Sequence, residues 1–114
     1  MVNDMESKNV KLVVFVPVTH AEAVREAIGR AGAGKSGNYS DCSFSTKGIG
    51  RFKPEAGAHP AIGRIGKLEA VEEERIEFIC ERGRLKGVVE AIKKAHPYEE
   101  VAMDIYPLEN PEQL

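Results

Sequence analysis

The periodicities along this 114-residue chain predict an α+β fold, with two helices packed on one antiparallel sheet in the order β-α-β-β-α-β. Three observations carry this. The first strand is apolar on both alternating faces, two helical patterns each sit between strand patterns, and the length suits one domain at about 100–200 residues per domain. The domain is expected over residues 10–108, between tails at 1–9 and 109–114.

In residues 10–16, Val10, Leu12, Val14 and Val16 fall on one face and Val13 and Phe15 on the other, the mark of a strand inside its sheet. Pro17 helps end it. Thr19 followed by Glu22 reads as a capping box, and Ala21, Val24, Ala27, Ile28 and Ala31 recur at helical spacing, predicting a helix over 20–30 that Gly29, Gly32 and Gly34 stop. Cys42, Phe44 and Thr46 alternate with Ser43 and Ser45 as a short second strand. The stretch from there to Ile65, punctuated by Gly and Pro, reads as a long loop or irregular hairpin arm.

Across 68–80 a third strand sets Ile76, Phe78 and Cys80 on one face. Glu72 and Glu74 share that parity, so the strand must outrun the core or carry a bulge. Leu85, Val88, Val89, Ile92 and Ala95 mark an amphipathic helix stopped by Pro97, and Val101, Met103 and Ile105 alternate as a last strand closed by Pro107. With right-handed crossovers this order gives a ferredoxin-like sandwich in which the first and third strands are central and the second and fourth are edges. An extended hairpin of the second and third strands, with an unpaired edge, predicts self-association.

Several function classes are excluded at this level. The 16 basic and 18 acidic side chains leave a net charge of -2, which argues against general nucleic-acid binding. No apolar run approaches the ~20 residues of a membrane span, and Asp4 and Glu6 precede the first strand where a signal peptide needs basic residues; a cytoplasmic protein is expected. The total hides a division. Residues 29–67 hold seven basic against two acidic side chains, a local +5, with nine of the 11 glycines inside 29–66, whereas 68–81 hold six glutamates and one arginine, a local -5.

The segment Gly29-Arg30-Ala31-Gly32-Ala33-Gly34-Lys35-Ser36 matches the P-loop expression, but here the helix precedes the glycines. A P-loop needs a helix after them, so that helix N–H groups converge on phosphate. The segment reads instead as a helix C-cap and exposed basic turn, structural or binding an anion on backbone amides. Cys42 and Cys80 lack metal-pair spacing; they read as buried thiols, or as a cross-strand redox pair if the hairpin brings them together. His20 lies at a helix N-terminus and His59 in the loop. His96 is followed by Pro97, Tyr98, Glu99 and Glu100, gathering an imidazole, a phenol and two carboxylates at one helix-to-strand turn. This turn reads either as a helix stop or as a polar or metal site shared with a neighbouring subunit. The Glu72-Glu73-Glu74 run reads as a solvated strand face, and no catalytic triad follows from spacing.

Two segments go beyond pattern: Gly37-Asn38-Tyr39-Ser40-Asp41-Cys42-Ser43-Phe44, with Gly50-Arg51-Phe52-Lys53-Pro54 and Ile62-Gly63 after it, and His96-Pro97-Tyr98-Glu99-Glu100-Val101-Ala102 with Asp104-Ile105-Tyr106-Pro107. Together they resemble the inserted domain of the Nif-three-like (NGG-interacting factor) family in its YqfO-type bacterial members, over nearly all of residues 10–108. The resemblance implies a free-standing copy of that insert, a CutA- and PII-like module of ferredoxin-like fold that associates as a trimer. It also implies that the two-metal site of the parent family belongs to a core domain this sequence lacks. Where family members often carry His in the Tyr-Ser-X-Cys motif, this chain has Asp41.

The function expected is therefore a self-associating, non-catalytic or regulatory binding module, with no cofactor firmly implied. Lys35, Gly37, Asn38, Tyr39, Ser40 and Arg51 would meet His96, Tyr98, Glu99 and Glu100 in a pocket between subunits that takes a small anion or metabolite. One alternative is a CutA-like divalent-metal protein using His96, Glu99 and Cys42. The other is a partner subunit for a separately encoded metal-binding core.

Overall fold

In the computed structural model, which describes residues 8–114, the chain runs β1 (Asn9–Pro17), α1 (Ala21–Arg30), β2 (Phe44–Phe52), β3 (Glu69–Glu81), α2 (Leu85–Ala95) and β4 (Met103–Pro107). Most of the expected N-terminal tail lies outside the described residues. The strands form one antiparallel sheet in the order β2-β3-β1-β4. β1 and β3 are central and β2 and β4 are edges, the ferredoxin-like arrangement.

One face of the sheet is covered. Val10, Leu12, Val14 and Val16 of β1 join Ile76, Phe78 and Cys80 of β3, and α1 closes over them with Ala21, Val24 and Ile28 while α2 adds Val88 and Ile92. Full burial of each large apolar side chain contributes roughly 1.5–3 kcal/mol, so this layer holds the domain together. Val13, on the far face, is also fully buried. That face is otherwise open: Lys11 pairs with Glu77, the Arg75 guanidinium lies 6.0 Å from the Phe15 ring centroid, and Phe44, Ile79 and Tyr106 are exposed.

β3 settles the question of its misplaced glutamates. Its register is unbroken, residues 73–81 pairing with β1 and residues 69–77 with β2, so there is no bulge and the strand outruns β1. The overhang, paired with the end of β2, forms a two-stranded arm on a molecule 48 Å long and 22 Å thick. Two sequence expectations need correction here. The second strand is not a short one beginning at Cys42 but runs from Phe44 to Phe52, and only residues 53–68 form the loop. Gly48 and Gly50 hide it from pattern reading, because the strand is made by pairing with β3 and not by its own alternation. The capping box at Thr19 also does not form: Thr19 Oγ1 turns to His20 Nδ1 at 2.8 Å, and no side chain caps α1.

The C-terminus of α1 does stop on glycine. Gly32, at φ +91°, donates its N–H to Gly29 O and Ala33 donates to Ile28 O, with Ala33 and Ile28 both buried, which is a Schellman stop. No helix follows Ser36, so the P-loop letters serve as a helix end. Cys42 and Cys80 are both free, one exposed and one buried; since β2 starts at Phe44, the cross-strand pair does not arise.

Candidate functional site

His96 is the anchor of the turn between α2 and β4. It is 6% exposed, and both ring nitrogens are engaged: Nε2 lies 2.7 Å from Phe15 O, and Nδ1 accepts the Tyr98 N–H at 3.1 Å. A carbonyl can only accept, so Nε2 carries the proton and Nδ1 is bare. The ring is the neutral Nε2–H tautomer. Burial holds its pKa below the usual histidine value, with the nearby His20 adding to the effect and the Phe15 bond opposing it. With both nitrogens committed, His96 has no free lone pair for a metal; it ties the turn to β1.

Around that turn lies a pocket of about 360 Å³. Its walls come from the end of β2 and the following loop (Arg51, Phe52, Lys53, Pro54, Ala58, Ile62), from Glu73 of β3, and from Tyr98, Glu99 and Glu100. The loop is held in place at both ends. Gly66 N–H donates to Pro54 O at 2.7 Å, and His59 N–H donates to Glu99 Oε1 at 2.8 Å, so a carboxylate of the turn fixes the roof. Phe52 and Tyr98 meet edge to face with ring centroids 5.5 Å apart.

Glu73 forms the floor and was not legible in advance. The sequence reads the run 72–74 as a solvated strand face, yet Glu73 and Glu74 are each only 9% exposed. They point to opposite faces of β3. Glu74 forms an ion pair with Arg25 of α1, which raises the arginine's pKa. Glu73 lies across Gly50, its carboxylate filling the space a Cβ would take, and beside Tyr98. Burial pushes the Glu73 carboxyl upward, against a smaller lowering by the phenol. Tyr98 is pushed up to about 12, first by burial and then by the Glu73 carboxyl. Its Oη is buried without a well-aligned hydrogen bond among the described residues.

Of the residues expected to bind ligand, the structure gathers Arg51, Tyr98, Glu99 and Glu100 around this pocket, with His96 behind them. It does not bring Lys35, Gly37, Asn38, Tyr39 and Ser40 there within one chain. Those residues form an exposed turn closed by paired bonds between Ser36 and Tyr39, and held to the sheet by Gly34 N–H donating to Ile79 O. Ile79 pairs with Lys11, four residues from Phe15 along β1, about 13 Å at 3.3 Å per residue. Cys42 belongs to that distant end, so His96, Glu99 and Cys42 are not assembled; no cluster of three metal-binding side chains is present among the described residues. No described helix is long and apolar enough to cross a membrane.

No family model matches the chain. It is 61% identical over 100 residues to a protein of Halalkalibacterium halodurans and 54% identical over 99 residues to one of Bacillus subtilis, both named GTP cyclohydrolase 1 type 2 homolog. These matches cover 88% and 87% of the chain but only 27% and 26% of the relatives, so the chain spans about a quarter of their length. Among solved structures, a Bacillus cereus protein related to NIF3 superposes with a TM-score of 0.80 at 53% identity, over 92% of this chain and 27% of that one. The periplasmic divalent cation tolerance protein CutA of Archaeoglobus fulgidus superposes with a TM-score of 0.67 at 18% identity, over 93% and 91% of the two chains, a likeness of fold.

Proposed function

Taking the chain as a NIF3-family domain with a CutA-like fold, we propose that it is a self-associating binding module, without catalysis of its own, that takes a small metabolite or anion in the pocket beside the His96 turn. The observation that carries the reading is the convergence of the two signature segments, through Arg51 and Phe52 from one and Tyr98, Glu99 and Glu100 from the other, on a single cavity. Its volume of about 360 Å³ falls in the small-molecule range of roughly 300–1,000 Å³.

Self-association is supported by the arm. β2 is bonded to β3 on one side only, and Phe44, Ile79 and Tyr106 leave apolar area on the open face of the sheet. In a trimer of cytoplasmic chains, the exposed 35–41 turn is the element a neighbouring copy would bring toward the pocket. Light scattering at micromolar concentration is expected to give three times the 12.5 kDa chain mass. A thermal-shift panel of nucleotides, inorganic phosphate, organic acids, amino acids and divalent metals is expected to contain at least one stabilising compound, since binding to the native state alone raises its stability. A 12.5 kDa particle, or an assembly indifferent to the whole panel, would overturn the reading.

A further inference from the structure

Building on the reading of this pocket as a metabolite site, we infer that its ligand is a protonated organic amine with an apolar body, whose ammonium group donates to Glu73 on the floor. The register of β2 on β3 places that carboxylate. Glu73 pairs with Gly48, so its side chain shares a face of the arm with Gly50 and Phe52. Gly50 has no β-carbon, and the Glu73 carboxylate lies across it at the bottom of the pocket. There it is 9% exposed and has no ion pair among the described residues. The neighbouring Tyr98 Oη is buried as well and makes no well-aligned hydrogen bond among the described residues.

The pocket walls bring no cation to it. Arg51 pairs with Ala70, which puts its side chain on the other face of the arm, and the Lys53 ammonium lies 3.9 Å from Glu55. Two more carboxylates belong to the wall: Glu99 accepts the His59 N–H through Oε1 alone, and neither it nor Glu100 has an ion pair among the described residues. An anion would therefore meet carboxylates with no free cation to receive it. A neutral hydroxyl would give Glu73 one hydrogen bond and leave its charge unanswered. An ammonium supplies the charge and up to three N–H donors to a group with about four acceptor sites. No cluster of three metal-binding side chains is present among the described residues, so the donors are not set for a divalent metal. Phe52 and Tyr98, edge to face with ring centroids 5.5 Å apart, offer aromatic surface to a cation, and Pro54, Ala61 and Ile62 give the apolar wall against which the rest of the ligand lies.

Three probes with the same apolar body divide the question in an NMR titration of the ¹⁵N-labelled chain: 2-phenylethylamine, the neutral 2-phenylethanol and the anionic 3-phenylpropionate. The amine is expected to shift the amides of Phe52, Ile62, Glu73 and Tyr98. The alcohol should bind at least tenfold more weakly, and the anion should leave these resonances in place. Glu73→Gln keeps the size of the side chain and removes its charge; it should bring the amine down to the level of the alcohol and leave the spectrum away from the pocket as in wild type. Equal binding of amine and alcohol, or a Glu73→Gln variant that binds the amine as wild type does, would overturn the inference while leaving an apolar metabolite pocket. Pocket shifts with 3-phenylpropionate as strong as those with the amine would overturn it in favour of an anion site. Silence with all three probes would also overturn it, and if the thermal-shift panel is silent too, the metabolite reading falls with it.

Discussion

The body of the domain and its arm share β3 and obey different rules. In the body, one face of the sheet is packed under α1 and α2, where specificity comes from shape, while the other carries the Lys11–Glu77 pair beside exposed Phe44, Ile79 and Tyr106. In the arm, two strands with exposed side chains are held mainly by backbone pairing, and the buried groups are ionisable. Glu74 and Glu73, adjacent and equally buried, mark the border. Glu74 faces the helices and is answered by Arg25; Glu73 faces the pocket, has no cation, and is pushed toward its neutral form by burial. Burial alone therefore does not decide the state of a carboxyl; the face of the strand does.

The sharpest way to break this contrast is by truncation. Leu12→Ala in the body is expected to cost about 2–5 kcal/mol in urea unfolding, and Ile49→Ala in the arm no more than about 0.5 kcal/mol under conditions that keep the chain monomeric. Equal losses would show that the arm is packed as the body is. A smaller effect separates the two glutamates. Glu74→Gln should lose about 1–2 kcal/mol at pH 7 through the Arg25 pair, whereas Glu73→Gln should be neutral or mildly stabilising. Because the folded Glu73 pKa is raised, its contribution is present below the unfolded carboxyl pKa and is lost as pH rises through the folded value, so the advantage of Glu73→Gln should grow with pH. A variant that is worse than wild type at neutral pH would show instead that Glu73 is an answered charge.

The smallest effect belongs to His96, which joins the two regions. Its folded pKa is lowered, so wild-type stability should be fully present above about pH 6.5, the unfolded value, and fall as the pH drops toward the folded one. His96→Gln should remove that dependence, read as urea midpoints at pH 7.5 and 5.5. An unchanged slope would place the titration on another group.

Much of the body was legible from the sequence because its signals are periodic. The double apolar face of β1, the spacing of Val24 and Ile28, and the stop at Gly32 each report a local rule that the packed structure obeys. The arm carries weaker local signals. Gly48 and Gly50 have no strand preference, and their place in β2 follows from partners in β3, Glu73 and Val71, that lie 25 and 21 residues away. Glu74 carried a signal, its parity with Ile76 and Phe78; Glu73 carried none, since only the folded position of Tyr98 and the gap above Gly50 bury it. The His96 turn was visible as a cluster, but the structural part played by its imidazole depends on which nitrogen meets Phe15 O, and the place of Glu99 and Glu100 in the pocket wall depends on the fold of the 53–68 loop.

The unbroken register of β3 makes the arm a cantilever clamped in the core. A bulge at the border would have acted as a joint; without one, the direction of the arm is the continued twist of the body, and its stiffness is borrowed from Leu12, Ile76 and their neighbours. Adaptation to a ligand then falls to the 53–66 roof, and whatever pulls on the tip is felt by the sheet as a whole.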